Sequence, residues 1–183
     1  MDGGRTQFAI LSLLRLGAMT GVEIRDLFQT RFSYFWSESF GQLYPTLQRL
    51  SRRGLVRRTS DRKAKRNVRF SITDSGHRSL KEWLSGPASP RTVRDELLLM
   101  LCCGVESDDR DHCARIEAEL TRARQSLGEI RAAQADMKAN HRQAPDFRYW
   151  LLTLRAGELI GRARIKWCEE ALEALNAKQG GET

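Results

Sequence analysis

Apolar positions recur along this chain with helical and strand-like spacings, and each spacing predicts an element. Phe8, Ile10, Leu11, Leu13, Leu14 and Leu16 mark a short, mostly buried first helix that Gly17 is placed to stop. Thr20 can cap a second helix, where Ile24, Leu27 and Phe28 repeat at i, i+3, i+4. Leu43, Leu47 and Leu50 lie on one face of a third helix, expected from Ser37 or Ser39 to about Arg53 and ended by Gly54. The period then drops to two at Val68, Phe70 and Ile72, the alternation of a half-buried strand. With Leu55 and Val56 as the partner strand, the basic segment from Ser60 to Arg66 becomes the tip of a hairpin. Thr73 caps a fourth helix with Leu80, Trp83 and Leu84 as its apolar positions.

Residues 85–92, SGPASPRT, read as a linker. Beyond them the pattern is helical throughout. VRDELLLMLCCG predicts a buried helix ending at Gly104, and Ser107 with Asp108 and Asp109 makes a helix start, since acids favour the positive N-terminal end. Ile116, Leu120, Ala123, Leu127, Ile130, Gln134 and Met137 follow at alternating steps of four and three, a heptad seam. Pro145 breaks the chain. Phe147 to about Ala177 forms a last long helix with Trp150, Leu151, Leu154, Ile160, Trp167, Cys168, Ala171, Leu172 and Leu175.

Pro45 falls well inside the predicted third helix. There a proline deletes one backbone hydrogen bond and crowds the carbonyl four residues back, at a cost of roughly 3 kcal/mol. The expectation is a bend at Gly41, with Pro45 on the outer side of the helix.

Charge sharpens this picture. The chain carries a net +8, yet residues 49–69 alone hold ten Lys and Arg against one acid, Asp61. The basic excess is therefore local, as expected of a footprint for a polyanion. The longest apolar run, Leu97 to Cys103, is far shorter than the roughly 20 residues of a membrane span. No signal-peptide pattern opens the sequence, so a cytoplasmic protein with no membrane partner is expected. A composition of 40% hydrophobic and 30% charged residues points to a folded chain rather than a disordered one.

Three helices, a basic hairpin and a fourth helix make the order of a winged helix-turn-helix. In such a module the third helix enters the major groove of DNA. Leu43, Leu47 and Leu50 hold it inward, leaving Gln42, Tyr44, Pro45, Gln48, Arg49 and Arg52 outward, with Ser39 at its start. Gln can bond adenine bidentately, and Arg can bond guanine or phosphate. Arg62, Lys63, Lys65 and Arg66 at the hairpin tip suit phosphate. The fold class is thus mostly α with a small β-hairpin wing. Residues 1–85 form the DNA-binding domain, 86–106 a linker and connecting helix, 107–177 a helical dimerisation domain and 178–183 a disordered tail.

These residues resemble the PadR-type transcriptional regulators. SFGQLYPTLQRLSRRGLV is similar to that family's recognition helix, including the Tyr-Pro pair, and VRFSITDSGHRSLKEWL to its second wing strand and following helix. VRDELLLMLCCG resembles the family's linker helix; RFSYFW and the helical C-terminal half resemble the subgroup with a long dimerisation domain. The resemblance implies a homodimer on operator DNA, commonly a repressor released by a small molecule or stress, and implies that Tyr44 bonds a phosphate. Tyrosine packed between helices is the alternative for Tyr44. Binding of nucleic acid without sequence choice, or a protein-interaction adaptor, are the alternatives for the whole chain.

Dimerisation is expected to use Ile116, Leu120, Leu127, Ile130, Met137, Leu154, Trp167 and Leu172. The aromatic residues from Phe32 to Phe40 read first as core. A small hydrophobic or aromatic effector, if bound, would fall near Trp36, Trp83 and Trp150. Cys102, Cys103, Cys113 and Cys168 form no metal-like spacing and are read as buried structural residues, with a redox switch as the rival. His77, His112 and His141 have no ligating or catalytic neighbours in sequence, so neither a cofactor nor an enzyme activity is expected.

Overall fold

The structure is a computed structural model that describes residues 3–29, 35, 40–60, 68–90 and 93–179. The chain divides into two compact units, residues 1–90 and 91–183.

In the first unit, α1 (Gly3–Leu14) leads through Gly17, at φ 147°, into β1 (Met19–Thr20). Thr20 caps α2 (Gly21–Leu27) with a full capping box: its hydroxyl accepts the Glu23 N–H at 3.2 Å, and its own N–H donates to the Glu23 carboxylate at 2.6 Å. A 3-10 turn (Phe40–Gln42) runs into α3 (Leu43–Arg52), followed by β2 (Val56–Ser60), β3 (Val68–Ile72) and α4 (Asp74–Ser85). The sheet is antiparallel with order β1-β3-β2, pairing Met19 with Phe70 and Val56 with Ile72. β1 is a strand that the sequence pattern does not predict. Ile10, Leu11, Leu13, Ile24, Leu43, Leu47, Leu50, Phe70 and Leu80 form one buried core.

Thr73 stitches the turn after α3 to α4. Its hydroxyl donates to the Gly54 carbonyl at 2.7 Å and accepts the Gly76 N–H at 3.1 Å. Gly76 is required there, because a Cβ would overlap the Leu55 carbonyl oxygen. Two expectations for α4 change. Leu84 is 64% exposed, and Trp83 leaves the core to stack on Phe8, centroids 4.8 Å apart.

The second unit holds α5 (Glu96–Cys102), a 3-10 turn (Gly104–Glu106), α6 (Asp109–Asn140) and α7 (Phe147–Gln179). α6 starts at the predicted place, with the Asp108 carboxylate accepting the Arg110 N–H at 3.0 Å. α6 and α7 pack as a helical hairpin around Ile116, Leu120 and Cys168, and Leu127, Ile130, Met137 and Leu154 are also buried. Gln134, the polar position of the seam, donates to Glu158 of α7 at 3.4 Å. The expected buried helix VRDELLLMLCCG is instead a short one with no buried residue. Only Leu97 and Leu101, one turn apart, lean on the α6–α7 core, so Leu98, Leu99 and Met100 face outward.

Candidate nucleic-acid interface

α3 is built to be held from one side. Leu43, Thr46, Leu47 and Leu50 are buried, while Gln42, Tyr44, Pro45, Gln48, Arg49 and Arg52 are exposed. The helical period sorts the two sets: Gln42, Pro45, Arg49 and Arg52 follow one line, and Tyr44 and Gln48 lie beside it. The outward face predicted from sequence is therefore brought together on one surface.

Pro45 does not interrupt the helix. The α-helix begins at Leu43, so Pro45 is its third residue. The first four N–H groups of a helix have no intrahelical partner, and the missing donor costs nothing there. Gly41 lies in the preceding 3-10 turn. The expected bend inside a longer helix is replaced by a change of helix type ahead of the proline.

Tyr44 is 52% exposed, and its ring rests against Gly21 at the start of α2. A Cβ at Gly21 would stand 2.6 Å from Tyr44 Cε1 and 2.8 Å from its hydroxyl oxygen. The ring is thus packed on one side, and its outer half is open. Gly21 is a residue that sequence reasoning missed; its one signal is a glycine directly after the capping Thr20.

The basic run divides by task. Arg53 donates to Gln7 Oε1 at 2.9 Å, bracing α3 on α1. Arg69 donates to the Ala18 carbonyl at 2.6 Å and pairs with Glu23 at 3.4 Å, bracing β3 on the β1–α2 corner. The Thr20 N–H is the main cause that holds the Glu23 carboxyl below its usual range, with the Thr20 hydroxyl and the Arg69 charge assisting against burial. Arg49 donates to Thr46 Oγ1 at 3.0 Å on its own helix. Arg52, Arg57 and Arg58 are exposed. Ser39, Arg62, Lys63, Lys65, Arg66 and Trp36 lie outside the described residues, as does most of the aromatic stretch.

The other sequence expectations are redistributed. The dimerisation residues Ile116, Leu120, Leu127, Ile130, Met137 and Leu154 are buried within a single chain, and Trp167 and Leu172 pack on the same hairpin. Their apolar surface is covered largely by α6 and α7 together. Of the effector candidates, Trp83 stacks on Phe8 in the first unit and Trp150 is half-buried in the second. An open cavity of about 470 Å³ in the first unit is lined by Leu16, Met19, Glu23, Asp26, Leu27 and Arg69, without a tryptophan. Cys102 and Cys103 are exposed and Cys113 is half-buried, so of the four only Cys168 matches the buried structural reading.

Known proteins share this architecture. The Transcriptional regulator PadR-like family model matches residues 10–82, and the Virulence activator alpha C-term model matches residues 93–176. The negative transcriptional regulator PadR of Bacillus subtilis is 29% identical over 180 residues, covering 93% of this chain and 97% of that one. Its structure in complex with operator DNA superposes with a TM-score of 0.76 at 25% identity, covering 93% and 98% of the two chains. A structure of the same protein with p-coumaric acid gives 0.71 at 26%, covering 93% and 98%. The virulence activator AphA of Vibrio cholerae is 29% identical with a TM-score of 0.72, covering 94% and 98%. The two family models together span the winged unit and the helical hairpin, and the chain belongs to the PadR-like family of transcriptional regulators.

Proposed function

We propose that this regulator binds a specific palindromic operator as a homodimer and represses transcription from it. The observation that carries the reading is the outer row of α3. Two glutamines, a tyrosine and two arginines stand exposed on a helix whose opposite face is fully buried. That arrangement suits base-edge reading by Gln42, Gln48 or Arg49 and backbone contact by Tyr44 and Arg52; Ser39, which precedes them in sequence, is proposed as a further contact. Arg62, Lys63, Lys65 and Arg66 would supply phosphate contacts from the wing. The complex of the Bacillus subtilis relative with operator DNA supports operator DNA as the partner in this reading. Negative control follows that relative's name.

A dimer places two recognition helices over half-sites about one DNA turn, roughly 34 Å, apart. The surface proposed for dimerisation is the outer stripe of α7. Tyr149, Leu152, Leu159 and Ile160 are 56%, 64%, 50% and 54% exposed. They recur on the side of α7 opposite Leu154 and Cys168. A small aromatic effector is proposed by analogy with the p-coumaric acid complex, with Trp150 as the reporter in the helical unit.

Selection of bound duplexes from random DNA tests the core of this reading. A recovered palindrome, bound at least about 10³-fold tighter than random duplex, is the expected result. Equal binding of random DNA or RNA duplex would replace sequence-specific control with general nucleic-acid binding.

A further inference from the structure

α5 ends in two consecutive cysteines. Cys102 and Cys103 are both exposed, and neither is in a disulfide. Cys103 has left the helical conformation, at φ −102° and ψ 29°, while its N–H still bonds back to α5. Consecutive Cα atoms lie about 3.8 Å apart, below the roughly 4.4–6.8 Å that disulfides usually span. The two thiols are badly placed to close on each other, and both stay available to an atom that can bridge them.

The surroundings define what that atom is. Leu99 stands three and four residues before the two thiols, and Met100 three before Cys103, so these side chains share a helical face with the pair. Both are open, at 67% and 44% exposure. Among the described residues no group of three or more His, Cys, Asp or Glu is arranged to hold a metal ion. The other two thiols are withdrawn. Burial pushes the Cys168 thiol up, and burial with the Glu117 and Asp109 charges pushes up Cys113, which lies 3.9 Å from Asn176 Oδ1. A hard cation seeks oxygen ligands, and a soft centre wanting three thiolates finds two. What fits is a soft centre with two open valences and an apolar substituent.

We propose that Cys102 and Cys103 form a chelating dithiol site for a trivalent organoarsenical. Each sulfur makes one bond to arsenic, and the two thiol protons leave with the arsenoxide oxygen as one water. Arsenic stays trivalent, so no oxidant or reductant is consumed. The organic substituent lies along Leu99 and Met100. The ring closes beside a fixed point, because the next carbonyl, Gly104, accepts from buried His112 Nε2 at 3.1 Å. Arg115 donates to the opposite ring nitrogen at 3.4 Å, which assigns the proton to Nε2. Occupancy therefore acts on the α5–α6 corner.

Phenylarsine oxide added to the full-length reduced protein tests the site without DNA, so its outcome is separate from that of the operator reading. Intact mass should show one adduct per chain, with loss of two titratable thiols. The adduct should survive excess monothiol and be reversed by a dithiol, the mark of chelation. Cys102→Ser and Cys103→Ser should each abolish the monothiol-resistant adduct, while Cys113→Ser should retain it. Removal of the wild-type adduct by monothiol, its persistence in either single variant of the pair, or no adduct at all would overturn the proposal.

Discussion

Arg164 of α7 grips Asp95, the N-cap of α5, with two hydrogen bonds of 2.8 and 3.4 Å. Its Nε also donates to Glu119 of α6 at 2.7 Å, and its guanidinium lies 4.6 Å over the Trp167 ring. One side chain thus ties three helices of the second unit. Burial pushes the Asp95 carboxyl up, but the Leu98 N–H and the Arg164 guanidinium outweigh it and hold the carboxyl below its usual range. α5 has no buried residue of its own, so this tie adds to the packing of Leu97 and Leu101 in holding it.

Arg164→Met keeps an apolar stem over Trp167 and removes both ion pairs. It should lower stability by roughly 1.5–3 kcal/mol, the range for hydrogen bonds to charged groups. Asp95→Asn keeps the helix cap and should cost less. Urea unfolding of both variants and the double variant measures the coupling. Additive losses would mean that Arg164 and Asp95 do not act as a pair.

The packing of Tyr44 on Gly21 predicts a change in DNA binding without a change in fold. Gly21→Ala drives a Cβ into the Tyr44 ring, which can swing outward because its outer half is open. Thermal stability should stay nearly unchanged while affinity falls. Tyr44→Phe should weaken specific and random duplexes alike, by about 0.5–1.5 kcal/mol for one missing hydrogen bond. A loss confined to one operator sequence would make Tyr44 a base reader instead.

Base readers and phosphate-binding residues separate by sequence and by salt. Gln48→Ala should cost roughly 1–3 kcal/mol on the selected operator and little on random DNA. Lys63→Ala with Lys65→Ala should weaken every duplex and lower the salt slope by about 1 for each phosphate no longer neutralised. An unchanged slope in the double variant would remove the wing from the interface.

These residues also show how much is legible in the sequence. The buried row Leu43, Leu47, Leu50 decides which side of α3 is open, because helical period alone sets it. Pro45 is misplaced by the pattern for a local reason: periodicity locates a helix but not the switch from a 3-10 turn to α at Gln42–Leu43. β1 escapes because two residues cannot display an alternation. Arg53 and Arg69 read as part of one basic run, yet long-range bonds to Gln7 and Ala18 turn them to structural use. The exposure of Cys102 and Cys103 is illegible for the opposite reason. An apolar run seven residues long reads as buried, and only the packing of Leu97 and Leu101 reveals that one narrow stripe suffices.

Glu158 gives a pH-dependent prediction. The Arg155 hydrogen bond is the main cause lowering its carboxyl to about 2, against burial and with help from Gln134 and Arg162. Its folded value is depressed, so its stabilisation is fully present above the ordinary carboxylate range near 4.5 and is lost as pH falls toward 2. Glu158→Gln should melt lower than wild type at neutral pH, and the gap should shrink through that window. A gap independent of pH would assign the loss to packing rather than charge.

The outer stripe of α7 and the inner seam of α6 make opposite predictions about assembly. Leu127 is buried at 7% exposure, and Gly161 of α7 leaves room beside it: a Cβ there would stand 3.8 Å from the Leu127 side chain. A charge at Leu127 would stand against the apolar α6–α7 contact, so Leu127→Glu should destabilise the hairpin and lower its helical signal together with its assembly. Leu152 and Leu159 are 64% and 50% exposed, two turns apart on the other side. Glutamate at both should leave the melting of an isolated chain nearly unchanged, since surface substitutions usually shift stability within about 0.5 kcal/mol. A two-fold interface carries each substitution twice, so four charges would enter one apolar interface. Light scattering should then report a monomer that retains its helix content. Operator affinity should fall by about 10²-fold or more, because two tethered domains bind through effective concentration and a single one does not. A Leu152→Glu, Leu159→Glu protein that stays dimeric would move the interface off α7.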